Sequence, residues 1–275
     1  MANFFDNDDY SLYCRPAGEL MSEYDYRINR KFLKDSLRKR TDFSRTDQNM
    51  GRPMPSIQKP FDPDAPRISL AGSDQWQEFV RDISLDQIIA NRKSRRNYGQ
   101  DPLLLEELSF LLWATQGLRS PEGSAANFRT VPSAGARHSF ETYVVVHNVE
   151  KLSPGLYRFL PLNNELFFIK DMPHAKYHLS KAAFGQRFIA TGAVTFIWSC
   201  LPYRMEWRYG PNAYRTILID IGHVCQNLYL ACEAIGGGTC AVAAYDQEAM
   251  DELLGLDGHD EFSIYLAPVG RALSQ

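Results

Sequence analysis

The stretch from Tyr214 to Ile235 constrains the fold most: it reads as one long helix that is apolar on nearly every side. Ile217, Leu218, Ile219, Ile221, Val224, Cys225, Leu228, Tyr229, Leu230, Cys232 and Ile235 leave no broad polar face. Such a helix has to be covered all round, within a core or between subunits. With 275 residues the chain can bury it in one large domain. No apolar run reaches the roughly 20 residues of a membrane span, so no membrane is expected as a partner. A net charge of −3 lacks the basic surplus that nucleic acid requires, and none is expected.

The remaining pattern supplies both helices and strands. Ser84 is a plausible N-cap for a short helix over 85–90, ending near Asn91. Leu103 to Gln116 reads as a helix stopped by Gly117. Strands are predicted at Glu141 to His147, Ala193 to Cys200, Thr239 to Ala244 and Phe262 to Val269, with a hairpin of Gly155 to Phe159 and Glu165 to Ile169 around Asn163-Asn164. Gln247 to Leu254 closes the helical set. Strands and helices without strict β-α-β repetition indicate α+β, a central mixed or antiparallel sheet flanked by helices.

Residues 1–70 read differently, as an extension preceding a domain over 71–275. Arg27, Arg30, Lys31, Lys34, Arg38, Lys39 and Arg40 crowd one segment, with Asp35 as the only acid between Arg27 and Arg40. It reads as a solvated helix face with Tyr26, Ile28, Phe32, Leu33 and Leu37 packed inward. An anionic partner is the competing reading. Pro53, Pro55, Pro60, Pro63 and Pro66 then forbid regular helix and predict an extended arm lying on another surface. The first residues are acidic and do not resemble a signal peptide. Cys14, Cys200, Cys225, Cys232 and Cys240 form no C-x-x-C pair, which suggests reduced, buried thiols and a cytoplasmic compartment.

Several motifs lead nowhere. Gly236-Gly237-Gly238 follows a helix and precedes a strand, the reverse of a dinucleotide fingerprint, and reads as a helix C-cap. His174 and His178 stand four apart, but Ala175 occupies the place of the Glu in a zinc-protease motif, and no metal is expected. No G-x-S-x-G elbow occurs.

One constellation remains. Arg92, Ser94 and Arg96 alternate, so in an extended segment they project to one side. Two guanidinium groups and a hydroxyl suit a phosphate monoester, with Lys93 adding charge. Pro132, Ser133, Ala134 and Gly135 form a small-residue loop that lets a planar ring approach the backbone. Ala243 and Ala244 present N–H groups without side-chain bulk, and Arg271 puts a cation after the last strand. Each segment alone also reads as an ordinary helix end, turn or surface cation.

The segments Arg92-Lys93-Ser94-x-Arg96, Leu108-x-x-Leu111-Leu112-Trp113-Ala114-Thr115-Gln116-Gly117, Val131-Pro132-Ser133-Ala134-Gly135-Ala136-Arg137-His138, Gly155-Leu156-Tyr157-Arg158, Tyr214-Arg215, Asp220-x-Gly222-His223-x-x-Gln226-Asn227 and Leu254-Gly255-Leu256-Asp257 occur in that order. Together they resemble the SagB-type dehydrogenase branch of the nitroreductase family, over about residues 84–271. The resemblance implies an FMN-dependent oxidoreductase, usually a homodimer, with hydride chemistry at flavin N5 on a small-molecule or peptide substrate. NADH or NADPH is a candidate electron donor. It implies Arg92, Ser94, Arg96 and Arg271 at the phosphate, the Pro132–Gly135 loop beside the ring, often from the partner chain, and Ala243 and Ala244 at the ring's reactive edge. Gly135 stands where many nitroreductases carry a flavin-contacting Asn. SagB-like azoline oxidases commonly carry a Lys-Tyr pair where this chain has Arg208-Tyr209, the expected catalytic pair. Arg stays protonated where Lys can act as a base, which weighs against azoline-to-azole oxidation by that pair; such oxidation in a peptide-modifying complex is the alternative within the same class. A flavin-binding scaffold without turnover is the alternative of a different class.

Overall fold

The structure, a computed structural model, describes residues 26–119 and 128–273. Cys14 and residues 1–25 lie outside the described residues. Seven strands form one sheet in the order β1-β4-β3-β2-β5-β7-β6, with every neighbouring pair antiparallel: β1 Arg67–Ser69, β2 Phe140–Val146, β3 Gly155–Leu160, β4 Glu165–Lys170, β5 Val194–Cys200, β6 Gly237–Thr239 and β7 Phe262–Arg271. The described α-helices are α1 Tyr26–Leu33, α2 Ser73–Trp76, α3 Leu85–Asn91, α4 Leu105–Gln116, α5 Ala175–Ala182, α6 Tyr203–Tyr209, α7 Ala213–Ala234 and α8 Gln247–Leu254. The expected α+β sheet flanked by helices is therefore present.

Strand alternation divides the core into two layers. Phe140, Val144 and Val146 of β2, with Phe196 and Trp198 of β5, pack toward α4 and α7. Tyr143 and Val145, with Ile197 and Leu266, pack toward α5 and α8. Both faces being covered, β2 and β5 are buried along their whole length.

The Pro-rich arm lies on its own sheet. Arg129 donates to the Ile57 carbonyl (2.8 Å), Arg158 to the carbonyls of Lys59 (3.2 Å) and Pro60 (2.8 Å), and Glu141 accepts the Lys59 N–H (2.8 Å). The Lys59 ammonium pairs with buried Glu261, which also accepts from Tyr143 and Ser199. β1, within the residues assigned to the arm, is an edge strand of the same sheet.

Four local expectations change. Phe32 and Leu33 are exposed rather than packed inward, since α1 stands away from the described core. α4 starts at Leu105, where the Glu107 carboxylate accepts the Leu104 N–H. The strand expected over 239–244 stops at Thr239, because the Ala241 N–H donates to the Tyr229 hydroxyl (2.8 Å) instead of to a ladder; only Val242 rejoins β7, opposite Leu266. α7 is not covered all round in a single chain. Leu218 and Ile219 are 47% and 49% exposed, on a stripe with Tyr214, Arg215, Gly222, His223 and Gln226.

The end of α5 holds an unusual residue. The Gly185 N–H bonds to the Ser180 carbonyl and the Phe184 N–H to that of Lys181, a Schellman turn with Phe184 at the left-handed position (φ +53°) that normally takes glycine. Its ring is 68% exposed and gains little by burial. Phe184→Gly is therefore expected to raise stability by about 1 kcal/mol, the scale of left-handed strain in an L-residue, seen as a higher urea midpoint at constant slope. An unmoved midpoint would contradict the strain.

Candidate functional site

The segment after α3 runs extended beside β6: Ser94 forms a parallel bridge with Thr239, and the Arg95 N–H donates to the Thr239 carbonyl (2.9 Å). Alternation then sorts the side chains. Arg95 turns inward to a bidentate ion pair with Glu233 of α7 (3.0 and 3.1 Å). Arg92 and Ser94 meet at Tyr229 of α7: the Arg92 guanidinium lies 5.3 Å from the ring centroid, and the Ser94 hydroxyl is 3.0 Å from the Tyr229 hydroxyl. Arg96 lies 5.6 Å from the Phe188 ring centroid. Arg92, Lys93 and Arg96 pair with no carboxylate among the described residues.

The 239–244 segment borders this cluster. The Tyr229 hydroxyl touches both Ser94 and the Ala241 N–H, and the Gln186 amide donates to the carbonyls of Ala183 (3.0 Å) and Ala244 (2.8 Å). Ala243 and Ala244 are exposed, and their N–H groups have no acceptor among the described residues. Tyr229, Gln186 and Phe188 escaped the sequence reading. Tyr229 was counted among the apolar residues of its helix, and the other two sit in a loop without a motif.

Arg271 stands apart. Its guanidinium grips buried Glu107 of α4 through two bonds (2.6 and 2.7 Å) and donates to the carbonyls of Pro102 and Ile235. The expected phosphate ligand is neither a free surface cation nor aimed at the Arg92–Arg96 cluster; it holds α4 to the end of β7.

The Pro132–Gly135 loop lies at the other end of α7. Buried Asp220 accepts from the Ala134 N–H (3.1 Å), and the Ser133 hydroxyl accepts from the His138 N–H (2.9 Å). Burial raises the Asp220 carboxyl above the usual carboxylate range, against the opposing pull of bonds from Ser133 and Ala134. Gly135 has φ +58°, and a Cβ there would meet Arg208 Cδ and Nε at 2.7 Å and the Tyr209 hydroxyl at 2.8 Å. Only glycine fits. The structure thus brings Arg208 and Tyr209, at the end of α6, onto the loop; Arg208 also donates to Gln48 of the arm (3.2 Å). Asp220 and Tyr229 are nine positions apart on α7, about 14 Å at 1.5 Å per residue. The loop with its Arg-Tyr pair and the Arg92–Arg96 cluster therefore lie apart along α7 within one chain.

His174 caps α5 in a left-handed conformation while His178 lies inside the helix, its ring against Tyr177. Among the described residues no group of three His, Cys, Asp or Glu is placed to hold a metal ion. Cys200, Cys225, Cys232 and Cys240 are free and buried; burial pushes the Cys225 thiol up to about 12. No helix among the described residues is long and apolar enough to cross a membrane.

Residues 89–271 match the nitroreductase family. The Methanocaldococcus jannaschii protein MJ1384, which carries a nitroreductase name, is 34% identical over 194 residues, 70% of this chain and 94% of that one. The trifolitoxin-processing protein TfxB of Rhizobium leguminosarum bv. trifolii is 28% identical over 133 residues, 47% of this chain and 36% of TfxB. Among solved structures, a nitroreductase-named protein of Ralstonia eutropha aligns with TM-score 0.61 at 26% identity, covering 76% of this chain and 90% of that one. A chain of the Escherichia coli microcin synthetase McbBCD complex shares the fold at TM-score 0.56 and 18% identity, over 94% and 99% of the two chains. The chain belongs to the nitroreductase family of oxidoreductases.

Proposed function

We propose that the protein is an FMN-dependent oxidoreductase of the SagB-type branch, working as a homodimer on a small-molecule or peptide substrate. One observation carries the reading: Arg92 and Ser94 meet at Tyr229 and Arg96 follows against Phe188, with neither arginine paired to a carboxylate among the described residues, next to the unclaimed N–H groups of Ala243 and Ala244. That donor set fits a phosphate joined to a flat heterocycle. Glu233, the acid on the adjoining helix, is neutralised by Arg95. Arg92, Ser94 and Arg96 would hold the phosphate by charge-assisted bonds, and Ala243 and Ala244 would direct N–H groups at the ring edge. FMN, when bound, supplies two-electron hydride acceptance and return.

The loop and the cluster, as two half-sites, explain the homodimer. The exposed stripe of α7 lies between them, and a second copy packed antiparallel on that stripe would bring the loop of one chain to the Arg92–Arg96 cluster of the other. Tyr209 would then donate a hydrogen bond near the substrate, while Arg208 stays protonated and supplies charge, not a base. The TfxB likeness favours a second reading, dehydrogenation of azolines to azoles in a peptide-modifying complex; Arg208 in place of Lys weighs against it.

Purified protein is expected to be yellow and to release one FMN per chain on denaturation. A colourless protein that takes up no added FMN overturns the reading. Anaerobic bleaching by NADH or NADPH identifies a reductase; bleaching only by substrate identifies a dehydrogenase; colour without turnover identifies a scaffold.

A further inference from the structure

Beside the Pro132–Gly135 loop opens a cleft of about 800 Å³, with Arg137 and His138 on the loop side and Arg119 and Phe128 opposite. Its charge is one-sided. The Arg137 guanidinium lies 5.2 Å from the Trp207 ring centroid and donates through Nε to the Gly135 carbonyl (2.9 Å). Arg208, which closes over Gly135, lies 5.6 Å from the Tyr209 centroid, and Arg119 lies 5.5 Å from that of Phe128. None of these three arginines pairs with a carboxylate among the described residues. Of the described acids around the loop and α6, Asp220 is engaged with Ala134, Asp47 with Arg52 (3.3 Å) and Tyr203 (2.7 Å), and Glu206 of α6 with Tyr214. Burial, and then the charge of Arg208, makes Arg137 easier to deprotonate than a free arginine, so the two cations repel across a half-buried gap.

Like charges held close, with no carboxylate partner among the described residues, disfavour each other and favour an anion between them. Aromatic plates fix the plane of each guanidinium while leaving most of its N–H fork open. A fixed fork matches the two oxygens of a carboxylate or phosphate better than a point charge does. Nothing in the phosphate cluster at Arg92–Arg96 accounts for this second cationic group, which gathers at the far end of α7.

We propose that the cleft is an oxyanion subsite, holding a carboxylate or phosphate of the substrate on Arg137 and Arg119, with Arg208 adding charge from below the loop. That the anion belongs to the substrate rests on the flavin reading above; that the cleft binds an anion does not. The substrate class is then an acidic small molecule, a phosphorylated one, or a peptide with an acidic group near the reacting position.

The test is calorimetric titration of FMN-saturated protein with inorganic pyrophosphate and, separately, with glutarate. Binding by the wild type is expected in at least one arm, and the tighter arm tells phosphate from carboxylate. Arg119→Gln with Arg137→Gln should weaken it at least tenfold while FMN per chain stays unchanged. Arg119→Gln alone, at an exposed position that cannot compromise folding, should weaken it in the same direction. Arg92→Ala with Arg96→Ala should lose FMN and leave anion binding intact, whereas a wild type that takes up no FMN yet binds pyrophosphate or glutarate sinks the flavin reading and not this one. No binding in either arm, unchanged affinity in the variants, or loss of FMN from the double Gln variant overturns the subsite.

Discussion

Replacing Arg92 and Arg96 together by alanine is expected to weaken FMN binding by about 3–6 kcal/mol, taking each charge-assisted hydrogen bond at about 1.5–3 kcal/mol. That is on the order of a hundredfold to ten-thousandfold in Kd, measured by quenching of flavin fluorescence on titration of apoprotein. Both side chains lie over aromatic rings near the surface, and neither joins an internal ion pair, so circular dichroism should show a fold close to wild type. Arg95→Ala supplies the contrast. Its loss uncovers Glu233 in the interior, so it should lower thermal stability more than FMN affinity. Unchanged FMN occupancy in the double variant would mean that the phosphate sits elsewhere.

Glu141→Ala should be the most destabilising single change among the contacts described. Its carboxylate is the ion-pair partner of Arg204, the two side chains being 2% and 4% exposed, and it also receives the Lys59 N–H of the arm. Removing it leaves a buried guanidinium uncompensated beside Arg129, itself buried, whose affinity for its proton falls to about 10. Breaking such a pair costs about 3–5 kcal/mol, on the order of 10 °C in Tm for a chain of this size. Glu165→Ala, which breaks the more exposed pair with Arg67, should cost less than about 1 kcal/mol. Equal melting temperatures for the two variants would show that the buried pair contributes no more than the surface one.

Much of the fold was legible because periodicity is a local property. β2, β5 and the hairpin lie within a residue or so of their expected ends, and α8 matches in full. What stayed hidden depends on partners distant in sequence. Arg95 was given no role until the fold set it against Glu233, and Arg271, expected at the phosphate, is held by Glu107. Tyr229 carries apolar bulk and a polar tip, and only the fold reveals that the tip ends the strand at Thr239. Whether α7 is covered within one chain or by a second stayed open in the sequence, because hydrophobicity does not say which body buries a face; Leu218 and Ile219 are left open in the single chain.

The arm over 52–66 is fastened largely by what its backbone offers. Arg129 and Arg158 bind the carbonyls of Ile57, Lys59 and Pro60, groups that every residue has and that proline keeps despite its missing N–H. A strap buckled in this way fixes its route without fixing most of its side chains. Its sequence is free to drift, or to be rewritten by design, while the path across the sheet persists. Gln58, Lys59 and Phe61 are exceptions: buried Gln58 bonds to Asn163 and Leu162, Phe61 packs on Phe167, and the Lys59 ammonium pairs with Glu261, so its replacement would leave that acid buried among Tyr143 and Ser199.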